Sequence, residues 1–229
     1  MLSKMHPLSW AEANYAAIMT PFLRLGLSLT TLAFTASSAI AGGPVVEKSV
    51  SEPWDPFAKG RMEFQIGAGA FHSFGNESER RPRIVDIGGA VRLGWMLTDV
   101  SSDGWCRGNW EFLTEIYGAG IVEGPGDVFV AATLLFRYNF VQENSRWVPY
   151  FQFGGGGIYS DAHEDQTQGA IGSEYSFNLQ GGLGLRYLCS DRCAVYIEAL
   201  YRHISNAGLG DRNLGTNAVG GFVGMSYFF

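Results

Sequence analysis

The chain has 229 residues, a net charge of −6, 17% charged residues, 31 glycines and 14% aromatics. It carries no basic block, which argues against nucleic acid as a partner. Its charged fraction is below the roughly 25% of an average soluble domain, and with so much glycine and aromatic side chain it suits a barrel in lipid better than a soluble enzyme.

The N-terminus has the layout of a secretory signal peptide. Phe22 to Ala36 is apolar or small with Arg24 near its start, and Ser37-Ser38-Ala39-Ile40-Ala41 ends in A-x-A before Gly42. The expectation is a signal over residues 1–41, with Met19 as the better-formed start. A transmembrane anchor fits less well, because the apolar run falls short of the roughly 20 residues a span needs. Residues 42–60 are expected to be a polar periplasmic lead-in with a short interfacial helix near Trp54 and Phe57, and residues 61–229 the barrel. After Ala41 no run of about 18 apolar residues remains. A mature chain that enters a membrane must therefore close as a barrel, the other structure that satisfies every backbone group in lipid.

From Met62 the pattern has period two. Val85, Ile87, Gly89, Val91, Leu93 and Trp95 alternate with Asp86, Gly88, Ala90, Arg92 and Gly94. Trp110, Phe112, Thr114 and Ile116 oppose Glu111, Leu113, Glu115 and Tyr117, and Val128 to Tyr138 continues in the same way. The clearest strand starts at Tyr175: Tyr175, Phe177, Leu179, Gly181, Leu183, Leu185 and Tyr187 share one face, closed by aromatics at both ends. Alternating faces with aromatic girdles are what a lipid-spanning strand requires. Further strands start near Met62, Trp147, Ala194 and Thr216. The fold class is all-β, an antiparallel transmembrane barrel of about eight strands, with an interior filled by side chains rather than an open pore. Asp86, Arg92, Glu111, Glu115, Arg137, Arg186, Glu198 and Arg202 fall on the polar faces and are expected to pair inside.

The last residues, Tyr227-Phe228-Phe229, resemble the aromatic C-terminal signal of outer-membrane barrels, and with the export signal the resemblance implies the Gram-negative outer membrane as the expected location. With a periplasmic N-terminus, the outer loops lie near 75–83, 123–127, 161–173 and 206–215, and the inner turns near 98–107, 140–146 and 188–192. Cys189 and Cys193 flank an inner turn. The periplasm is oxidising, so they could form a disulfide, with Cys106 a competing partner. A metal site would want more ligands, and no cofactor is expected.

The chemistry-bearing stretch is the seventh strand and the loop after it. Parity puts Val195, Ile197, Ala199, Tyr201, His203 and Ser205 on the apolar, lipid-facing side. A His and a Ser two residues apart on one face can make an activated nucleophile, with His203 as general base and Ser205 as attacker. If the hairpin is symmetric about Gly210, His203 lies opposite Asn217, which completes the triad as orienter; amide orienters are known.

His203-Ile204-Ser205-Asn206-Ala207-Gly208-Leu209, followed by Asn213-Leu214-Gly215, resembles the signature of the outer-membrane lipid A 3-O-deacylase (acyloxyacyl hydrolase-type) family. The resemblance implies a hydrolase that removes an ester-linked acyl chain from lipid A of lipopolysaccharide, with Ser205 as nucleophile and His203 as base. It also implies that Asn213 and the backbone of Asn206, Ala207 and Gly208 hold the oxyanion. The sequence departs from that family's pattern at Asn217, where the pattern has an acid. The partners expected are the membrane and its lipid A, with a homodimer left open. The rival readings are a structural or adhesive barrel without catalysis and a lipid acyltransferase.

Overall fold

A computed structural model of the protein describes residues 54–101 and 103–229. The expected signal peptide and most of the lead-in lie outside the described residues. Eight antiparallel strands close into one barrel in chain order. They are β1 (Met62–Ser73), β2 (Val85–Met96), β3 (Gly108–Glu123), β4 (Val128–Phe140), β5 (Trp147–Ser160), β6 (Tyr175–Leu188), β7 (Cys193–Ser205) and β8 (Thr216–Phe228). The last strand returns to the first, with Glu63 opposite Phe228, so no sheet edge is left unpaired. The strands start where the period-two pattern places them, and the apolar face is the exposed one while the charged residues are buried, which suits a wall with lipid outside. In β7, Ala194, Tyr196, Glu198, Leu200, Arg202 and Ile204 are buried, while Val195, Ile197, Ala199 and Tyr201 are exposed.

The interior is filled and its charges are paired, as expected. Arg92 Nε donates to Glu115 at 2.6 Å and its NH1 to Glu198 at 2.7 Å. Arg186 donates to Glu63 at 2.7 Å. Arg202 donates to Asp86 at 2.5 Å, and the Tyr117 hydroxyl donates to the same carboxylate at 2.5 Å. Arg137 donates to Gln152 at 2.7 Å and lies 3.3–3.6 Å from Glu198, Glu111 and Glu63. All of these charged side chains are buried. A charge cut off from water in this way persists only with such partners.

Both ends of the barrel are stoppered. Toward the outer loops, Ala162, Ala170 and Ile171 of the β5–β6 loop pack with Phe71, Ile84, Phe129 and Ile158. Gln168 holds that loop together: it donates to the carbonyls of Ala162 and Ile171 and accepts from the amides of Ala170 and Ile171. At the other end Phe57 packs with Met96, Val148, Ala194 and Phe228. The segment around Trp54 and Phe57 makes turns where a short helix was expected. The reason lies in the side chains: Phe57 is 1% exposed, drawn into the barrel end rather than lying at an interface. Trp54 is sandwiched between the guanidinium groups of Arg61 and Arg192, 3.7 and 3.9 Å from its ring.

Cys106, Cys189 and Cys193 are free thiols in the structure. The turn between Cys189 and Cys193 is closed by backbone hydrogen bonds from Cys189 and Ser190 to the Cys193 carbonyl, at 2.9 and 3.1 Å, with no bridge between the sulfurs.

The interior network makes a stability prediction. Arg92→Met leaves Glu115 and Glu198 without their shared cation and should cost about 3–5 kcal/mol. Thermal unfolding followed by circular dichroism in detergent micelles should show a clearly lowered midpoint, and an unchanged midpoint would contradict the role given to the pair.

Candidate active site

β7 ends at Ser205 and β8 begins at Thr216, and their pairing sets His203 opposite Asn217, in the expected register. His203, Ser205 and Asn217 are all half-buried at the outer ends of their strands, on the face turned away from the barrel core. His203 Nδ1 lies 2.7 Å from Asn217 Oδ1. With Nδ1–H donating to that oxygen, Nε2 is left with its lone pair, the tautomer a general base needs.

Ser205 stands next to His203 along the strand but is not locked to it. Among the described residues no hydrogen bond joins Ser205 Oγ to the imidazole, and catalytic hydrogen bonds often tighten only with substrate present. Both side chains converge on Gly215. A Cβ added there would sit 3.3 Å from His203 Cε1, 3.5 Å from Ser205 Cβ and 3.0 Å from the Ile204 carbonyl. Gly215 also has φ +65°, in the left-handed region that favours glycine. A methyl there would be tight against the imidazole and the Ile204 carbonyl and in ordinary contact with Ser205, so glycine suits this close passage of the chain beside the His–Ser pair.

The loop after Ser205 is a tight turn. Leu209 N–H donates to the Asn206 carbonyl at 3.0 Å, and the two central residues, Ala207 and Gly208, both have positive φ, 53° and 78°. Both central residues left-handed is the geometry of a type I′ turn, and for Ala207 it carries backbone strain beside the site. Asn206 is 3% exposed and is the hub of the loop. Its side chain donates to Ser173 Oγ at 2.8 Å and to the Arg212 carbonyl at 3.0 Å, and accepts from Gly208 N–H at 3.0 Å.

The expected oxyanion donors are only partly free. The Asn206 N–H donates to Asn213 Oδ1 at 2.8 Å and the Gly208 N–H to Asn206 Oδ1, so both amides are engaged. Among the described residues, two of the expected donors make no such bond: the Ala207 N–H and the Asn213 side-chain amide. The Asn206 contact occupies Asn213 Oδ1 and leaves its Nδ2 as the donor.

Beside the site lies an apolar groove of about 540 Å³, lined by Gly155, Gly157, Tyr175, Phe177, Leu179 and Leu209, with Asn206 and Ser173 at its rim. Its floor is low because Gly157 and Gly155 stand opposite Phe177 and Leu179 in the β5–β6 pairing. A side chain at Gly157 would meet nothing within 4 Å, so the groove there is open space.

One contact was not expected from sequence. The Tyr201 hydroxyl donates to Asn217 Oδ1 at 2.7 Å, so that oxygen has two partners on β7. The available signal was a tyrosine on the same face as His203, one pair of residues before it.

A closed, filled barrel with an apolar outer wall is a small outer-membrane β-barrel, here with a His–Asn pair and a serine on its lipid-facing side. The chain belongs to the lipid A 3-O-deacylase family: the model of Lipid A 3-O-deacylase (PagL) matches residues 87–226, a span that holds the whole site. Among solved structures, Neisserial surface protein A is 13% identical with a TM-score of 0.51, over 74% of this chain and 98% of its own. The outer membrane enzyme PagL is 21% identical with a TM-score of 0.41, over 69% of this chain and 97% of its own. The outer membrane protein OprG from Pseudomonas aeruginosa is 16% identical with a TM-score of 0.44, over 76% and 99%. The likeness to Neisserial surface protein A is one of fold. No curated protein matches the chain.

Gly215→Ala tests the convergence at the site. The left-handed backbone should cost about 1 kcal/mol of stability, a small shift in unfolding midpoint. Ester hydrolysis should fall further, by about tenfold, because the new methyl presses on the His203 imidazole. Equal activity in the variant would contradict the packing argument.

Proposed function

We propose that Ser205 is the nucleophile with which this outer-membrane enzyme removes an ester-linked acyl chain, the 3-O-chain by its family, from lipid A. The observation that carries the reading is the His203 Nδ1–Asn217 Oδ1 contact of 2.7 Å on the lipid-facing wall, with Ser205 one step along the same strand face. A lumen site could not reach a lipid, and this lumen is packed with buried ion pairs and stoppered at both ends. A serine and a general base at the outer end of the wall stand at the depth where acyl chains join the sugar headgroup.

Ser205 Oγ attacks the ester carbonyl while His203 Nε2 takes its proton. The tetrahedral intermediate carries its charge on the former carbonyl oxygen, toward the Ala207 N–H and the Asn213 amide. Asn217 holds the imidazole in the productive tautomer and accepts from Nδ1–H of the imidazolium that forms. It supplies a dipole rather than a full negative charge. Collapse of the intermediate sends the proton from His203 to the sugar oxygen and leaves the acyl chain on Ser205. Water, activated in turn by His203, then releases the fatty acid. The glycine-floored groove supports this assignment, since it offers an acyl chain an apolar bed next to the loop that carries the oxyanion donors.

The test is the lipid A of a Gram-negative host that expresses the full-length protein. Mass spectra should show loss of one hydroxyacyl mass with the wild type, and Ser205→Ala or His203→Ala should reduce the product at least about 100-fold. Unaltered lipid A beside wild-type protein folded in the outer membrane would sink the deacylase reading. Loss of the chain with Ser205→Ala would sink the nucleophile assignment.

A further inference from the structure

Tyr201 is exposed to lipid over 48% of its surface and packs into no core, yet its hydroxyl is committed to one atom, Asn217 Oδ1, at 2.7 Å. That same atom receives His203 Nδ1 at 2.7 Å. Tyr201 and His203 are two residues apart on the outward face of β7, so both reach across to β8 and converge on a single amide oxygen.

The orientation of that amide decides the chemistry. With Oδ1 toward β7, His203 must carry its proton on Nδ1 and Nε2 is free to act as base. With the amide turned over, Nδ2 would face Nδ1, which would then have to be the acceptor, and the proton would sit on Nε2. That tautomer cannot take a proton from Ser205. An aspartate or glutamate in this place has equivalent oxygens and no such choice to make; an asparagine does. A phenol is a strong donor and a weak acceptor, because its lone pair is delocalised into the ring. It favours the orientation with the amide oxygen toward it.

We propose that Tyr201 is a positioning residue that holds the Asn217 amide in the orientation selecting the Nδ1–H tautomer of His203, so that a neutral orienter serves where a carboxylate would need no help. The proposal rests on the reading that His203 and Ser205 carry out the hydrolysis, and it acts on kcat through the fraction of His203 poised as base. In this role Tyr201 acts through Asn217 and takes no part in the proton transfer from Ser205.

Tyr201→Phe removes one hydroxyl and keeps the ring on the barrel wall. One hydrogen bond's worth of preference is about a fivefold to tenfold change in the equilibrium between the two orientations, so the productive fraction should fall from nearly all to about half and kcat by about twofold, with KM nearly unchanged. In an Asn217→Asp background, whose own rate serves as reference, the same substitution should change kcat by less than about 1.2-fold, because a carboxylate cannot be turned over to present a donor. An equal loss in both backgrounds, or a change in KM alone, would overturn the proposal and assign Tyr201 to packing or to the acyl chain.

A second readout needs no turnover. Nitrogen-15 spectra of histidine-labelled protein in detergent micelles, with His203 assigned by loss of its signals in His203→Ala, report the tautomer directly. The wild type should show Nδ1 protonated and Nε2 bare, and Tyr201→Phe a mixture. An unchanged tautomer in Tyr201→Phe would refute the positioning role while leaving the assignment of Ser205 intact. Full activity in Ser205→Ala would instead remove the reading on which the proposal stands.

Discussion

Hydrocarbon offers no partner for a backbone amide or carbonyl, and the rest of the structure depends on that constraint. It forces the sheet to close, with β8 returning to β1, and closure forces every strand to keep strict alternation between core and lipid. Once parity is fixed, the position of a residue along β7 decides which side of the wall it serves. Glu198 and Arg202 enter the buried ion-pair network, and Tyr201, His203 and Ser205 face the membrane. The same rule that makes the interior a lattice of paired charges therefore puts His203 and Ser205 on the side that faces lipid. A one-residue slip of β7 would exchange the two sets, burying His203 and Ser205 and exposing Glu198 and Arg202 to hydrocarbon.

The interior and the site divide the work of the fold. The charge lattice and the two stoppers make the barrel a rigid wall, and the site lies at the rim of that wall, held by the β7–β8 loop. Asn206 ties the loop to Ser173, Arg212, Asn213 and Gly208, so the loop beside Ser205 is held by side-chain hydrogen bonds. Gly215 lets the returning chain pass against the imidazole.

The strands and the partner across the hairpin were legible in the sequence because both follow from period two. Tyr175 to Tyr187 reads as a strand from its alternation alone, and symmetry about Gly210 placed Asn217 opposite His203. What could not be read depends on side-chain direction and loop closure. Phe57 follows a polar, proline-containing stretch whose composition gives no sign that its ring enters the barrel end. The Asn206 amide looked free by its place after Ser205, but the loop folds Asn213 onto it. Tyr201 was on the correct face, yet nothing in a one-dimensional pattern says that its hydroxyl reaches diagonally to Asn217 rather than to lipid headgroups.

The central claim is that a serine on the lipid-facing wall is made nucleophilic by the histidine beside it. The most direct measurement treats the folded barrel in micelles with a long-chain alkyl fluorophosphonate and locates the adduct by mass spectrometry of the intact and digested protein. The account predicts a single adduct on Ser205 that forms far more slowly in His203→Ala. A folded protein that takes up no adduct, or one labelled equally in Ser205→Ala, would contradict it.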